Sequence, residues 1–295
     1  MKHAILVMAH GDMTILSKCM KVLDDSRFDF YIHVDSKSNV NTNNLTEICN
    51  YSKVYLTERI PVYWGDYSQV EAQIKLIEAA NNEKCQYDYY HMISGADMPL
   101  KTPDEIDCFF ELHKGKEFIR FWGNNIPDPA AYWRVSYVYP FISMITRGKS
   151  NILNTVQKEV FARLLRYKRR KKDNIVNNPN YKVVSGDCWW SLTNRCIEYI
   201  ESNVDEIERY FSNGCCVDEV FMSTMIASSE EFLKRHSNFL TREIDWERGR
   251  PYVWEMEDYD ILNKSNALFA RKFSSDRMEI VDKLERNLLE RKATK

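Results

Sequence analysis

The chain has 295 residues, a formal net charge of −2 and eight cysteines. This length is enough for one large domain or two small ones. The near-neutral charge provides no general basic field for nucleic acid, so any anion site must come from local clusters. The cysteines show no CxxC pair and no metal-ligand spacing, which indicates reduced thiols in a cytoplasmic protein. The apolar run at residues 4–9 is too short for a signal peptide or a membrane span.

The first 120 residues alternate short apolar runs with amphipathic helices, which predicts an α/β fold with a sheet and crossover helices. The predicted strands are residues 4–9, 28–34, 53–56, 89–93 and 117–121. Helices are predicted after Asp12, after Asp66 and after Thr102. The sequences DYSQ at 66–69 and TPDE at 102–105 both have the spacing of a capping box.

Residues 123–180 interrupt this alternation with several prolines and, at 163–172, with seven cations interleaved with apolar side chains. We predict an insertion or lid here. The later part of the chain predicts a strand at 182–192, a helix after Thr193 and a short helix around 218–226. The simplest organisation is a single domain of residues 1–295 in three parts, 1–122, 123–180 and 181–295.

Two adjacent cations, Arg271 and Lys272, lie within an apolar frame at residues 266–273. A planar guanidinium beside a compact ammonium suits a phosphate or diphosphate better than a single carboxylate. The plainer interpretation is a half-exposed strand whose charges face water.

Polar residues also follow two predicted strands, and in open α/β sheets ligands bind beyond the carboxyl ends of the strands. His33, Val34 and Asp35 end the second strand, and Asp97 lies in the turn after the fourth. Asp97 is equally well explained as a turn residue, and His33 as a buried histidine with its hydrogen bonds satisfied.

Several common sites are absent from the sequence. There is no GxGxxG, P-loop, HExxH or GxSxG motif, which argues against dinucleotide oxidoreductases, P-loop NTPases, zincins and α/β-hydrolases. The one Asp-x-Asp, at residues 258–260, is better explained by a loop or helix start than by a metal site. If no metal neutralises a leaving diphosphate, fixed cations must do so, and Arg250, Arg271 and Lys272 fit that requirement.

Six segments in order carry a family resemblance. They are YIHVDSKS at 31–38, VYWGDYS at 62–68, SGADMPLKT at 94–102, SGDCWW at 185–190, DEVF at 218–221 and LFARKF at 268–273. Together they resemble the core-2/I-branching N-acetylglucosaminyltransferases and peptide O-xylosyltransferases of glycosyltransferase family 14.

The resemblance implies a GT-A-like α/β fold with a Rossmann-like nucleotide-binding sheet, and an inverting, metal-independent transfer from a UDP-sugar with no cofactor. Residues 1–122 would bind UDP, and residues 181–295 would hold the acceptor and the diphosphate. The implied nucleotide-binding residues are His33, Val34, Asp35, Asp97, Arg250, Arg271 and Lys272.

The resemblance also assigns the acceptor side. Glu219 takes the place of the catalytic base, with Asp187 second, because xylosyltransferases have an acid where this chain has Cys188. The plainer interpretation of Glu219 is an acid in the first turn of a helix. The implied acceptor-binding residues are Trp246, Trp189 and Arg120.

The implied donor is UDP-GlcNAc first and UDP-xylose second, and the acceptor is a glycan or lipid-linked intermediate of a bacterial relative. The alternative function is a catalytically degenerate module that binds a glycan or a partner. Residues 163–172 are predicted to dock on the inner face of the membrane, or else to form a solvated basic helix or loop. No nucleic acid partner is expected.

Overall fold

The computed structural model of the protein describes residues 1–294 except 43, 84, 124, 141, 145–167 and 250. Within these residues the strands are β1 His3–Ala9, β2 Phe28–Val34, β3 Val54–Leu56, β4 Tyr89–Ser94, β5 Met98–Pro99, β6 Glu117–Phe118, β7 Tyr137–Val138, β8 Arg169–Arg170, β9 Ser191–Thr193, β10 His236–Ser237, β11 Arg242–Ile244 and β12 Phe269–Arg271. The helices are α1 Thr14–Leu23, α2 Ser68–Asn81, α3 Pro103–Leu112, α4 Tyr132–Ser136, α5 Asn194–Glu201, α6 Val204–Phe211, α7 Phe221–Ser228, α8 Glu230–Arg235, α9 Tyr259–Lys264 and α10 Met278–Ala293.

The main sheet places the predicted strand ends together. Its order in the described residues is β10-β6-β9-β4-β1-β2-β3. Strands β3, β2, β1 and β4 run parallel to one another, whereas β9 is antiparallel to β4. Ala9 pairs in register with Val34, and Met8 pairs with Ser94, so these three strands end at one edge. The predicted α/β fold with a Rossmann-like sheet is confirmed.

Helices cover both faces of this sheet. Side chains of β1 alternate between two apolar clusters, with Leu6 facing the cluster built from α2, α5, α6 and α7. Val7 faces the opposite cluster, which includes residues of α1, α3 and α10. Strands buried on both faces are near-continuous apolar runs, which explains why the sequence identified them.

A second, smaller sheet lies beside the carboxyl edge of the main one. Its order is β11-β12-β5, and Ala270 of β12 pairs antiparallel with Met98 of β5. The backbone N–H of Phe273 donates to the carbonyl of Ala96 at 3.0 Å. This pairing brings the cations at the end of β12 to the turn that follows β4, although about 170 residues separate them in sequence.

The predicted strand at 182–192 is wrong apart from β9. The backbone N–H groups of Lys182 and Val184 donate to the hydroxyls of Ser228 and Thr224, on α7, instead of to a neighbouring strand. At Gly186 a Cβ atom would lie 2.0 Å from Ser223 Oγ. Residues 182–190 therefore pack closely on a helix, and their apolar pattern reflects burial there.

Helix starts were predicted with mixed success. The Thr102 capping box on α3 is confirmed by Glu105, which bonds back to it. The box predicted at 66–69 is wrong, because Asp66 accepts from the backbone N–H of Ser68 while Gln69 bonds to Gly65 and Asp218 and not back to Asp66. The single helix predicted after Thr193 is in fact two, α5 and α6, with Thr193 capping the first.

Residues 163–167 of the basic segment lie outside the described residues. Of the remainder, Arg169 and Arg170 form exposed β8, but Lys171 points inward. Its Nζ donates to the carbonyls of Tyr210 at 2.6 Å and Ser212 at 2.7 Å, at the end of α6. The charge of Lys171 is therefore engaged within the protein, and a membrane contact of the segment stays a prediction.

Burial of Lys171 predicts a pH effect on stability. It lowers the pKa of the ammonium from its usual 10.5 to about 8. Between these values the unfolded chain binds more protons, so stability rises with pH through this window. We expect the free energy of unfolding, measured with urea, to increase from pH 8 to 10 in the wild type relative to Lys171→Met. Parallel pH curves for the two proteins would contradict this placement of the lysine.

The structure agrees with two expectations from the sequence, reduced cysteines and no membrane-spanning helix among the described residues. All eight cysteines are free thiols, of which Cys19 and Cys196 are buried and Cys108 is exposed. Among the described residues, no helix combines the length and the apolar character needed to span a bilayer.

Candidate active site

The nucleotide side of the site begins at the end of β2. Asp35 Oδ1 accepts hydrogen bonds from the backbone N–H groups of Lys37 at 2.9 Å and Val62 at 3.3 Å, and Lys37 Nζ lies 2.8 Å from Oδ2. Burial opposes ionisation of Asp35, but these donors outweigh it and lower its pKa. Asp35 is thus a fixed carboxylate at the sheet edge, where the sequence predicted a ligand-binding residue.

His33 and Val34, the last two residues of β2 before Asp35, are buried. His33 Nε2 accepts a hydrogen bond from the backbone N–H of Ile60 at 3.1 Å, and burial lowers the pKa of the ring. The carbonyl of Val34 accepts from Arg59 Nε at 3.1 Å. In this structure His33 and Val34 therefore hold residues 59 and 60 against the end of β2, which matches the alternative of a satisfied interior histidine.

Asp97 lies in the tight turn after β4 and has no exposed side-chain surface. Ser94 donates to it from both its hydroxyl and its backbone N–H. Arg271 Nε lies 3.5 Å from Asp97 Oδ1, a loose ion pair, and this buried Nε makes no hydrogen bond among the described residues. Asp97 is therefore both a turn residue and the carboxylate that orients Arg271.

Lys272 follows Arg271 at the same edge. Its backbone N–H donates to the carbonyl of Tyr252 at 3.2 Å, and its carbonyl accepts from the N–H of Trp254 at 3.0 Å. Partial desolvation and the positive charge of Lys272 lower the pKa of His10, which follows β1. Residues that follow β1 and β4, His10 and Asp97, thus lie beside Arg271 and Lys272, and an anion site here stays a prediction.

Trp189 connects this side to the two candidate bases. The guanidinium carbon of Arg271 lies 4.0 Å from the centre of the Trp189 ring, a cation–π contact. Trp189 is two residues from Asp187, and the backbone N–H of Gly186 donates to the carbonyl of Glu219 at 2.8 Å. A chain of contacts therefore runs from Arg271 through Trp189 and the segment that carries Asp187 to Glu219.

Glu219 lies in a 3₁₀ turn, Val217–Glu219, directly before α7. Its Oε2 accepts a hydrogen bond from Arg134 Nη1, and 31% of its side-chain surface is exposed. Arg134 also donates to the carbonyl of Cys216 at 3.0 Å, so one guanidinium holds both the turn and the carboxylate. Glu219 is thus an accessible carboxylate fixed at one oxygen.

Asp187 is held by more hydrogen bonds than Glu219. Its Oδ1 accepts from Trp122 Nε1 at 2.6 Å, Arg120 Nη2 at 2.9 Å and Arg120 Nε at 3.3 Å. Only 13% of its side chain is exposed. Glu219, with 31% of its side chain exposed, is therefore the more accessible of the two carboxylates.

Three further predicted residues have different outcomes. Trp246 is 49% exposed in the turn after β11, where its indole face is accessible. Arg250 lies outside the described residues. Asp258 accepts from Arg248 Nη1 at 2.7 Å and caps a 3₁₀ turn before α9, which agrees with a helix start at the Asp-x-Asp.

Sequence reasoning missed Arg134, Asp218 and Gln69. Arg134 was assigned to the insertion, and no local pattern connects it with an acid 85 residues downstream. Asp218 is buried directly beside Glu219, and the adjacent acids DE were the available signal. Gln69 was assigned to a helix cap, but its Nε2 donates to Asp218 Oδ2 at 3.1 Å.

This arrangement, a Rossmann-like sheet edge with two fixed cations and a nearby pair of carboxylates, is accompanied by clear sequence relationships. A family model described as Core-2/I-Branching enzyme matches residues 4–266. The chain belongs to the Core-2/I-Branching enzyme family, and the GT-A-like fold implied by the resemblance agrees with the sheet described above.

Individual proteins are more distant. The β-glucuronosyltransferase GlcAT14B of Arabidopsis thaliana is 22% identical over 301 residues, covering 95% of this chain and 64% of that protein. Xylosyltransferase 1 of Homo sapiens is 23% identical over 309 residues, covering 96% of this chain and 30% of that protein. This chain therefore spans less than two thirds of each relative. The crystal structure of S. aureus TarS 1–349 in complex with UDP covers 98% of this chain and 65% of its own, with 11% identity and a TM-score of 0.41.

Proposed function

We propose that the protein is a metal-independent, inverting glycosyltransferase that moves a sugar from a UDP-sugar to a hydroxyl of a glycan or lipid-linked acceptor. The observation that carries the proposal is a chain of contacts between the cations and the carboxylates. Arg271 stacks on Trp189, which is two residues from Asp187. The neighbouring Gly186 bonds to the carbonyl of Glu219, in residues 216–219, here called the Glu219 loop. Cations and carboxylates so arranged suit a leaving diphosphate on one side and a proton-accepting base on the other.

The diphosphate would be held by Arg271 and Lys272. The nearest carboxylate to Arg271, Asp97, is at a loose 3.5 Å, so the guanidinium charge is oriented without a tight ion pair. Charge-assisted hydrogen bonds from a guanidinium and an ammonium stabilise developing negative charge on phosphate oxygens. These fixed cations would supply the charge stabilisation that a divalent ion provides in other transferases.

The base would be Glu219. As the acceptor oxygen attacks the anomeric carbon from the face opposite UDP, Glu219 takes the hydroxyl proton and the bond from the anomeric carbon to the diphosphate oxygen breaks. A single displacement of this kind inverts the anomeric configuration. Arg134 would hold Oε2 so that Glu219 keeps one orientation during the transfer.

The donor would be a UDP-sugar, and exposed tryptophans would contact the acceptor. UDP-GlcNAc is the first donor to test and UDP-xylose the second, and the names of the relatives add UDP-glucuronic acid. On the acceptor side, Trp122 is 44% and Trp246 is 49% exposed. Exposed indoles offer apolar faces with a polar N–H, a combination suited to stacking on a sugar ring.

A donor screen tests this function. Purified protein is incubated with UDP-GlcNAc, UDP-xylose, UDP-galactose or UDP-glucuronic acid, with and without EDTA, and UDP release is measured. We expect release from one of these donors at a rate that EDTA leaves unchanged. Loss of release with EDTA that only Mn²⁺ restores would refute metal independence, and failure to bind UDP at millimolar concentration would favour a non-catalytic binding module.

A further inference from the structure

Residues 59–69 connect the nucleotide side of the site to the Glu219 loop. At one end, Arg59 donates to the carbonyls of Val34 and Asp35 at 3.1 and 2.9 Å. A few residues later, the backbone N–H of Val62 donates to the Asp35 carboxylate at 3.3 Å. General disruption of this segment should therefore disturb the nucleotide side of the site.

The other end of the segment reaches the base. The carbonyl of Gly65, in a left-handed conformation with φ +72°, accepts from the N–H of Cys216 at 2.7 Å. The N–H of Gly65 donates to Gln69 Oε1 at 2.6 Å. Because this N–H occupies the amide oxygen, the amide NH₂ of Gln69 must point the other way, towards Asp218.

Asp218 is a buried carboxylic acid directly beside the proposed base. The titratable and charged groups around it are Glu219, Arg134, Cys188, Cys215 and Cys216. Burial and the negative charge of Glu219 raise the pKa of Asp218 to about 7, and Arg134 opposes the rise. The amide of Gln69 donates to Asp218 Oδ2, which favours the ionised form of Asp218 and fixes the orientation of its carboxyl group. Without this donor, the charge and the orientation of Asp218 would both vary near neutral pH.

We propose that Gln69 is a positioning residue for the Glu219 carboxylate, acting through the Gly65 turn on one side and the Asp218 carboxyl on the other. The inference rests on the proposed role of Glu219 as the base. Gln69 contacts the turn that carries Glu219 and does not contact Glu219 or the nucleotide-side residues in the described contacts. A change at Gln69 should therefore affect turnover and leave UDP affinity intact.

The main test is Gln69→Glu, which keeps the size of the side chain and replaces the amide donor with a carboxylate facing Asp218. At pH 8 two facing carboxylates repel each other, and we expect kcat for UDP release to fall about tenfold or more. Towards pH 6 one shared proton would restore a hydrogen bond between them, so the deficit relative to wild type should shrink. UDP affinity, measured by calorimetry, should stay within about twofold of wild type.

Two control variants accompany this test, the uncharged Gln69→Met and the charge control Gln73→Glu. Gln69→Met removes both hydrogen bonds without adding charge, so it should lack the recovery towards pH 6 that is expected of Gln69→Glu, which depends on a proton shared by two carboxylates. Gln73 is buried one turn later in α2, where it accepts from Trp190 Nε1 at 3.2 Å, away from the Glu219 loop. Gln73→Glu adds the same charge at this neighbouring position, and we expect no pH-dependent turnover deficit. An equal pH-dependent deficit in Gln73→Glu would overturn the inference, as would a Gln69→Glu enzyme with wild-type kcat at both pH values.

Thermal melting and the Glu219→Gln variant distinguish a positioning role of Gln69 from a purely structural role and from a wrong assignment of the base. If Gln69→Glu lowers UDP affinity and kcat together with the melting temperature, Gln69 has only a structural role and the inference fails. If Glu219→Gln retains turnover, the assignment of the base fails first. If Glu219→Gln is inactive while both Gln69 variants are fully active, the inference alone fails.

Discussion

Glu219→Gln is expected to lower kcat by about 10²–10⁴, the usual contribution of general base catalysis. The substitution keeps the shape of the side chain and removes its capacity to take the acceptor proton. Arg134 would still donate to the remaining carbonyl oxygen, so the turn before α7 should persist. UDP affinity should therefore match the wild type in calorimetry while UDP release in the presence of acceptor falls.

Asp187→Asn is the matched control because it makes the same chemical change in the neighbouring carboxylate. Asp187 Oδ1 already accepts from Arg120 and Trp122, and an amide oxygen can take over much of this role. We expect a smaller loss of kcat than for Glu219→Gln. If Asp187→Asn is inactive and Glu219→Gln keeps turnover, Asp187 is the base and the roles must be exchanged.

Lys272→Ala is expected to weaken UDP binding by about 1.5–3 kcal/mol, the range for hydrogen bonds to charged groups. This corresponds to a rise in Kd of roughly 10- to 150-fold. The backbone bonds of Lys272 to Tyr252 and Trp254 do not depend on its side chain, so β12 should keep its place. Calorimetric titration with UDP at low and high salt measures the effect.

Two further variants sharpen this test. Arg271→Lys keeps the charge and loses the planar fork that stacks on Trp189, so UDP binding should weaken less than in Lys272→Ala but still measurably. Lys264→Ala removes an exposed lysine at the end of α9 and should leave Kd unchanged. Unchanged UDP affinity in Lys272→Ala would remove Lys272 from the diphosphate site.

The prediction of secondary structure succeeded where local signals were strong. Strands β1, β2 and β4 are apolar runs buried on both faces, and the TPDE sequence contains the whole capping box of α3. It failed at residues 182–190, whose apolar pattern is equally consistent with a strand and with an irregular segment packed on a helix. The partners Thr224 and Ser228 decide between the two, and they lie about 40 residues downstream.

For the site, the sequence alone determined the chemical groups and the edge of the sheet where they belong. Asp35 and Asp97 follow parallel strands, and Arg271 and Lys272 form a cationic pair in an apolar frame, because strand ends and charge patterns are local features. Only the tertiary structure brought β12 to the β4 turn and Arg134 to Glu219. The same is true of the bond from Gln69 to Asp218. Such contacts join segments distant in the chain, and their energies depend on burial and orientation, which exist only once both sides of the sheet have packed.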